Sequence, residues 1–463
     1  MIVYVIFLKS FYQYLIQDRT RLLMTICGLL FFITGFIYVA FSILPTGDEP
    51  HYLIISQTLL KYHSLDAMLD YKHGDYFSFY PVPIIPHLAH NTRGQLLPYH
   101  GIGGPILWLI PFFFFGRLGA VWFISLVSVL IVFNIYKFLL MMGIRERYAF
   151  LISLAYGIAS PVYLYAHLTF VEPIGALVGI YVLRIIFQEE LSVSDVVVSS
   201  TLLGILPWVH IRFALLEIPL FFFLLYTIYQ QNRLKNLQHY LYFLIPITVL
   251  FLLFELYTYQ IWGTLNPAVN EMNNNTAPFE KSPFSGIIGM FFDQQFGICM
   301  NYPMFIFLFM GAILTVKKKF VEYNLLIIIV SIPYIIAFTT LRHWSGGWSP
   351  PARFFTVMLP MYAFYLGYAL EQINNRTSVI LFKATIWFGF IYNILSILPT
   401  QFGFNGEAAQ NHTITFIQLF GHHLTDYFPS SFVPGQTGLF IVWICLFVGI
   451  SVMLICSKYL KIR

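Results

Sequence analysis

The chain has 463 residues, of which 59% are hydrophobic and only 10% charged, and its mean hydropathy is +0.76. That composition excludes a soluble domain built round one apolar core and requires a membrane as solvent. The net charge of +5 is spread over span ends and loops, which argues against a nucleic-acid partner and for charges that set topology.

The apolar residues run in continuous blocks rather than in the alternating pattern of barrel strands, so the predicted fold class is all-α: a polytopic transmembrane bundle of about twelve spans. Residues 1–20, MIVYVIFLKSFYQYLIQDRT, have no small-residue cleavage site and read as an interfacial helix. Spans are expected at 22–44, 118–142, 148–166, 173–188, 195–209, 213–230, 240–258, 296–315, 321–340, 354–371, 378–398 and 437–457. Cys27, Cys299, Cys445 and Cys456 lie in or beside these blocks without CxxC spacing, so neither a disulfide framework nor a cysteine metal site is expected.

Lys and Arg fix the orientation. With a cytoplasmic N-terminus, seventeen of the twenty-five basic residues fall on the cytoplasmic side, anchored by the short turns RER at 145–147 and KKK at 317–319. Both termini are then cytoplasmic. Of thirteen histidines, His239 is the one placed on that side; the others gather on the extracytoplasmic face with most of the acids. That face also has the long segments, 45–117, 259–295 and 399–436, where function is expected.

The first span ends in LPTGDEPHYL, which places the adjacent carboxylates of Asp48 and Glu49 at the hydrocarbon edge. Ions there are costly and are kept mainly for a polar cavity, a metal or a substrate, although a helix-capping pair would place the same residues there. His51 and Tyr52 follow one turn on and line either a shared cavity or an interfacial aromatic belt. Downstream, PYHGIGGPILWLIPFFFFG is too interrupted by Pro and Gly to cross the membrane; it reads as an interfacial helix, which with residues 76–90 could form a lid over a cavity open to lipid.

These features resemble the GT-C superfamily of membrane glycosyltransferases, which take sugar from a polyprenyl-phosphate carrier, in the branch that includes protein O-mannosyltransferases and the aminoarabinose transferase of lipid A. The matching pieces are GDEPHYL at 47–53, the juxtamembrane stretch from His100 to Gly116, and Glu172 in HLTFVEPIG after the third span. The resemblance covers roughly residues 20–230 and implies a catalytic module at 21–258 that includes the loop 45–117, followed by C-terminal helices at 259–463 with extracytoplasmic loops 259–295, 341–353 and 399–436. It implies Asp48 as base or acceptor-orienting carboxylate, with Glu49 beside it and Glu172 as a second acid. His51, Tyr52 and His100 would line the same cavity. Some members of the superfamily use a divalent metal and others none, so a metal stays open here, with Asp48 and Glu172 as its ligands if present.

A departing lipid phosphate needs fixed cations, and of the eight basic residues left on the outer face the candidates are Arg212 in PWVHIRF, and Arg342 and Arg353 in LRHWSGGWSPPARFF. Trp344 and Trp348 in that last segment could stack on a sugar or form an interfacial belt, and Asp293 in FDQQFG could bind sugar hydroxyls or cap a helix. The implied partners are a polyprenyl-phosphate-linked sugar, a lipid, protein or glycan acceptor and membrane lipids, in a prokaryotic inner membrane with the site extracytoplasmic. A transporter or flippase for a lipid-linked glycan is the competing class; it would need ionisable groups near mid-bilayer, where Glu217 and Glu255 stand.

Overall fold

Proline and glycine decide where the apolar runs become helices. The structure, a computed structural model, describes residues 18–232, 237–266, 268–269, 283–340, 344–373, 376–397 and 418–459. Most of the N-terminal segment, Arg342 and much of the loops 259–295 and 399–436 therefore lie outside the described residues. Helix α1 (Arg19–Ala40) starts on the Asp18 side chain, which accepts from the Thr20 amide at 2.8 Å. The loop after it holds α2 (Glu49–Tyr62), α3 (Met68–His73), an antiparallel hairpin of β1 (Leu88–His90) and β2 (Leu96–Pro98), α4 (Gly103–Leu107) and α5 (Leu109–Phe115).

The bundle continues with α6 (Arg117–Met141), α7 (Glu146–Ile158), α8 (Pro161–Tyr165), α9 (Glu172–Ile186), α10 (Val193–Val209), α11 (Ala214–Asn232) and α12 (Leu237–Trp262). Its second part comprises α13 (Pro283–Phe292), α14 (Ile298–Asn301), α15 (Ile306–Leu314), α16 (Val321–Thr339), α17 (Phe355–Met358), α18 (Ala363–Gln372), α19 (Arg376–Ile397), a small β3–β4 hairpin (Gln418–Leu419 and His422–His423) and α20 (Thr437–Tyr459).

Among the described residues, seven helical segments are long and apolar enough to cross a membrane: 19–40, 117–141, 211–231, 237–262, 318–339, 376–397 and 437–456. The other five expected spans are shorter or broken. The run 148–166 divides between α7 and α8 at Ser160–Pro161, where Pro161 cannot donate to the previous turn and the Ser160 hydroxyl caps the Val162 amide at 3.1 Å. Pro303 and Pro360 likewise sit in 3-10 turns that split 296–315 and 354–371, while α9 and α10 are single helices of 15 and 17 residues.

These pieces are packed inside protein. Every residue of α18 from Ala363 to Leu370 is buried, and α9 is buried nearly all round, whereas α20 and α12 keep most of their surface outside. The central helix is α6, against which α1, α7 and α9 pack. Apolar length therefore exceeds what faces lipid, because an interior helix satisfies its own backbone whatever its length.

The α15–α18 crossing is unusually close: a Cβ on Gly311 would stand 1.8 Å from the Tyr365 carbonyl oxygen. Gly311→Ala must push two interior helices apart, with an expected loss of about 1–3 kcal/mol, the usual range for overpacking. Denaturant unfolding in detergent micelles would read this loss, and an unchanged midpoint would mean that the helices do not meet there.

Candidate active site

The loops 41–48, 166–171, 210–213 and 344–354 meet at one end of the bundle, tied by Thr46 Oγ1 to the Trp348 carbonyl at 3.1 Å and by the Thr169 amide to Glu49 at 2.7 Å. At the other end Arg145 pairs with Glu371 at 2.7 Å. Gly47 turns the chain into α2 with φ +53°, where a Cβ would lie 2.3 Å from the Trp348 carbonyl oxygen; only glycine fits that turn. Pro50 then starts α2, and Asp48 occupies the N-cap position without making a side-chain cap.

Asp48 is thus free to face Arg353, and its Oδ2 accepts from Arg353 Nη2. Arg353 Nε donates to Glu172 Oε1 at 2.6 Å, and the same oxygen accepts from Arg212 Nη2 at 2.7 Å. Arg353 Nη1 binds the Gly346 carbonyl at 2.9 Å, and its guanidinium lies 4.5 Å from the centre of the Phe170 ring. The two acids and two cations expected from separate motifs therefore form one chain of contacts. Glu172 is fully buried and its Oε2 has no hydrogen-bond partner among the described residues, whereas the Asp48 side chain keeps 23% of its surface exposed and is the open end of the cluster. Burial alone would raise the Asp48 pKa, but the Arg353 charge outweighs it and holds the carboxyl well below the usual carboxylate range.

A histidine layer borders Asp48. The β1–β2 register sets Leu88 opposite Pro98, which brings His87 beside Tyr99 and His100. His87 Nδ1 is 3.0 Å from His100 Nε2, and the His87 ring stacks on His51 at 3.5 Å. His51 Nδ1 is 2.6 Å from the Tyr71 hydroxyl. The hairpin is pinned to the end of α12 by Asn91 Nδ2 to the Ile261 carbonyl at 2.8 Å and Thr92 Oγ1 to the Trp262 carbonyl at 3.0 Å. Burial lowers all three imidazole pKa values, that of His100 to about 3, so the layer is neutral at physiological pH. Beneath it, the Tyr52 ring packs against His100 and Trp108 with its buried hydroxyl unpartnered. A cavity of about 20 Å³, room for one water, runs from His100 to His210.

The other expected site residues have different work. Glu49, anticipated beside Asp48, instead accepts at Oε1 from the Thr46 amide at 3.0 Å and at Oε2 from the Thr169 amide and hydroxyl, so it ties two loops together. Asp293 accepts from the amides of Gln295, Phe296 and Ser431 at 2.7–2.9 Å, which makes it a loop tie rather than a free sugar ligand. Trp344 is buried, edge-on to Phe296 and stacked on Phe432, leaving no face for a sugar; Trp348 remains 49% exposed. His87, Tyr71 and Phe170 were not anticipated: the excess of histidine on this face signals His87 only once the hairpin register is known.

For a divalent ion, Asp48 and Glu172 do not fit as a pair, since Arg353 lies between them. Ligand atoms of Asp48, His87 and His100 lie within 4.8 Å of one another and offer the carboxylate and imidazole donors that such an ion takes.

No known protein family matches this sequence, and no curated protein does. Among solved structures, the chain is similar to the crystal structure of ArnT from Cupriavidus metallidurans bound to undecaprenyl phosphate, with 14% identity, a TM-score of 0.48, and coverage of 94% of this chain and 73% of that one.

Removing one member of the ion cluster strands the others. Arg353→Met leaves Asp48 unpaired and Glu172 with a single cation, and should cost about 3–5 kcal/mol of stability, with part of the loss recovered when Glu172→Gln is added. A double-mutant cycle by detergent unfolding reads the coupling. Strictly additive losses would show that the three side chains act independently.

Proposed function

We propose that the protein is a glycosyltransferase of the GT-C type, which moves a sugar from a polyprenyl-phosphate carrier to a lipid, protein or glycan acceptor at the extracytoplasmic face of a prokaryotic inner membrane. The observation that carries this reading is the single Arg353 guanidinium that binds both Asp48 and Glu172, the two acids on which the sequence resembles that superfamily. Basic residues such as Arg145 at the opposite end, where Lys and Arg abound, support an outward-facing site.

In this reading the C1–O bond to the carrier phosphate breaks as the acceptor oxygen bonds to C1. The phosphate leaves with the bonding electrons, and the acceptor proton passes to Asp48. Arg353 and Arg212 stabilise the charge that grows on the departing phosphate. With Arg353 holding it, Asp48 is too weak a base for this task. A donor phosphate that takes part of the Arg353 fork releases Asp48 and, as a like charge beside it, raises its proton affinity. The base is therefore strengthened by the arrival of the donor. A divalent ion, if bound, would be held by Asp48, His87 and His100 and would supply Lewis-acid polarisation of the donor phosphate.

A carrier of lipid-linked glycans would use charge inside the bundle. Glu217 and Glu255 make no ion pair among the described residues, whereas the buried charges collect at the end that carries the loops.

Asp48→Asn keeps the side-chain shape and should abolish transfer in membranes supplied with polyprenyl-phosphate sugar, while the protein still folds; wild-type turnover would exclude the assigned role. Arg212→Gln removes one charged hydrogen-bond donor and should lower kcat/KM for the donor by about tenfold to a hundredfold, as the loss of about 1.5–3 kcal/mol implies. The pH profile offers a third test. Because burial lowers the imidazole pKa values, kcat/KM should show no limb at the ordinary imidazole value, and the acid limb of kcat should lie at higher pH than that of kcat/KM. An inflection in kcat/KM near the ordinary imidazole value of about 6.5 would place those rings in water.

A further inference from the structure

A second cationic site stands outside the Asp48 cluster. Arg117 opens α6 and is only 8% exposed. Its Nη1 donates to the Ile43 carbonyl at 2.6 Å and its guanidinium lies 5.5 Å from the centre of the Tyr38 ring, but Nε and Nη2 have no hydrogen-bond partner among the described residues. Glu49, whose charge reaches it, has both carboxylate oxygens committed to Thr46 and Thr169. A buried guanidinium with two unmet N–H donors, and no ion pair in direct contact among the described residues, is a costly arrangement that an anionic ligand would relieve.

Arg117 also lines a groove of about 520 Å³ between α1, α2, α5 and α6. Val39, Leu60, Phe112, Phe113 and Phe115 form much of its apolar wall, with Phe113 and Phe115 more than half exposed. Lys61 lies at the groove but is already paired with Asp75 at 2.6 Å, so Arg117 is the cation there with hydrogen-bond donors to spare. The groove joins the last turn of one span to the first turn of another, which sets it at the membrane boundary, and the positive end of the α6 dipole adds to the attraction for an anion.

We infer that this groove seats an anionic glycerophospholipid, its phosphate on Arg117 and an acyl chain along the phenylalanine wall. The bulk lipid is favoured over the rarer carrier by mass action, since it surrounds the groove at high concentration. The site also has a mechanical consequence: Arg117 holds the Ile43 carbonyl in the segment that leads to Asp48, so a bound phosphate steadies that segment through the guanidinium. This inference does not depend on the glycosyl-transfer reading.

The test is native mass spectrometry of the full chain, delipidated in detergent and then offered dioleoylphosphatidylglycerol, alone and in equimolar competition with a polyprenyl phosphate. One phosphatidylglycerol per chain should be retained, and about tenfold more weakly by Arg117→Gln, which loses charged hydrogen bonds. Leu118→Trp, which fills the groove and leaves the guanidinium in place, should also lose it, and decides the matter if Arg117→Gln does not fold. Arg93→Gln, at an exposed site away from the groove, should bind as the wild type does. Equal retention by the wild type and the groove variants, or no retention at all, overturns the proposal. Displacement of phosphatidylglycerol by the polyprenyl phosphate also overturns it, by assigning the groove to the carrier.

Discussion

One guanidinium organises the end of the bundle where the loops meet. Arg353 reaches Asp48 with Nη2, Glu172 with Nε and the Gly346 carbonyl with Nη1, and packs against Phe170. Arginine suits this position because its planar fork offers separate donors to partners on three sides, where an ammonium would be a point charge. The contacts fix the 344–354 segment, the start of α2 and the start of α9 relative to one another. Gly47 completes the arrangement by letting the Trp348 backbone come close enough for Thr46 to bind it.

Adjacent acids have divided the work between them. Glu49 spends both oxygens on loop backbone, while Asp48 makes no cap and faces a charge. Successive residues at a helix start project in different directions, so a single dipeptide can both hold the loops and present a carboxylate to a cation. The histidine layer beside Asp48 contributes differently: its neutral rings leave the charge balance of the cluster untouched.

Much of this was legible in the chain. The apolar runs foretold the helices, and the acidic motif at 47–53 with Glu172, Arg212 and Arg353 named four members of the cluster, because ions near the hydrocarbon edge are too costly to be placed there idly. What hydropathy could not show was whether an apolar run faces lipid or protein. Both environments are equally apolar, so α7, α9, α10 and α18 read as full spans although they are short or broken. Trp344 and Asp293 misled for a related reason: an aromatic ring or a carboxylate in a loop carries no mark of whether its partners are a ligand or the loop itself. Arg117 went unremarked because its significance lies in two missing partners, which only three dimensions reveal.

The charge count of the cluster constrains how any anion can bind there. Asp48 and Glu172 balance Arg212 and Arg353, so the site has no surplus cation to offer. An incoming phosphate must therefore exchange for a carboxylate rather than add to a waiting positive pocket. Glu172 is the harder to displace, being fully buried and held by both arginines, while Asp48 is held by one and is partly open to solvent. Exchange thus falls on Asp48, the carboxylate to which the proposed function gives the role of base. Neutrality in the resting state, and in the proposed reaction the freeing of a base by the donor, then rest on the same four side chains.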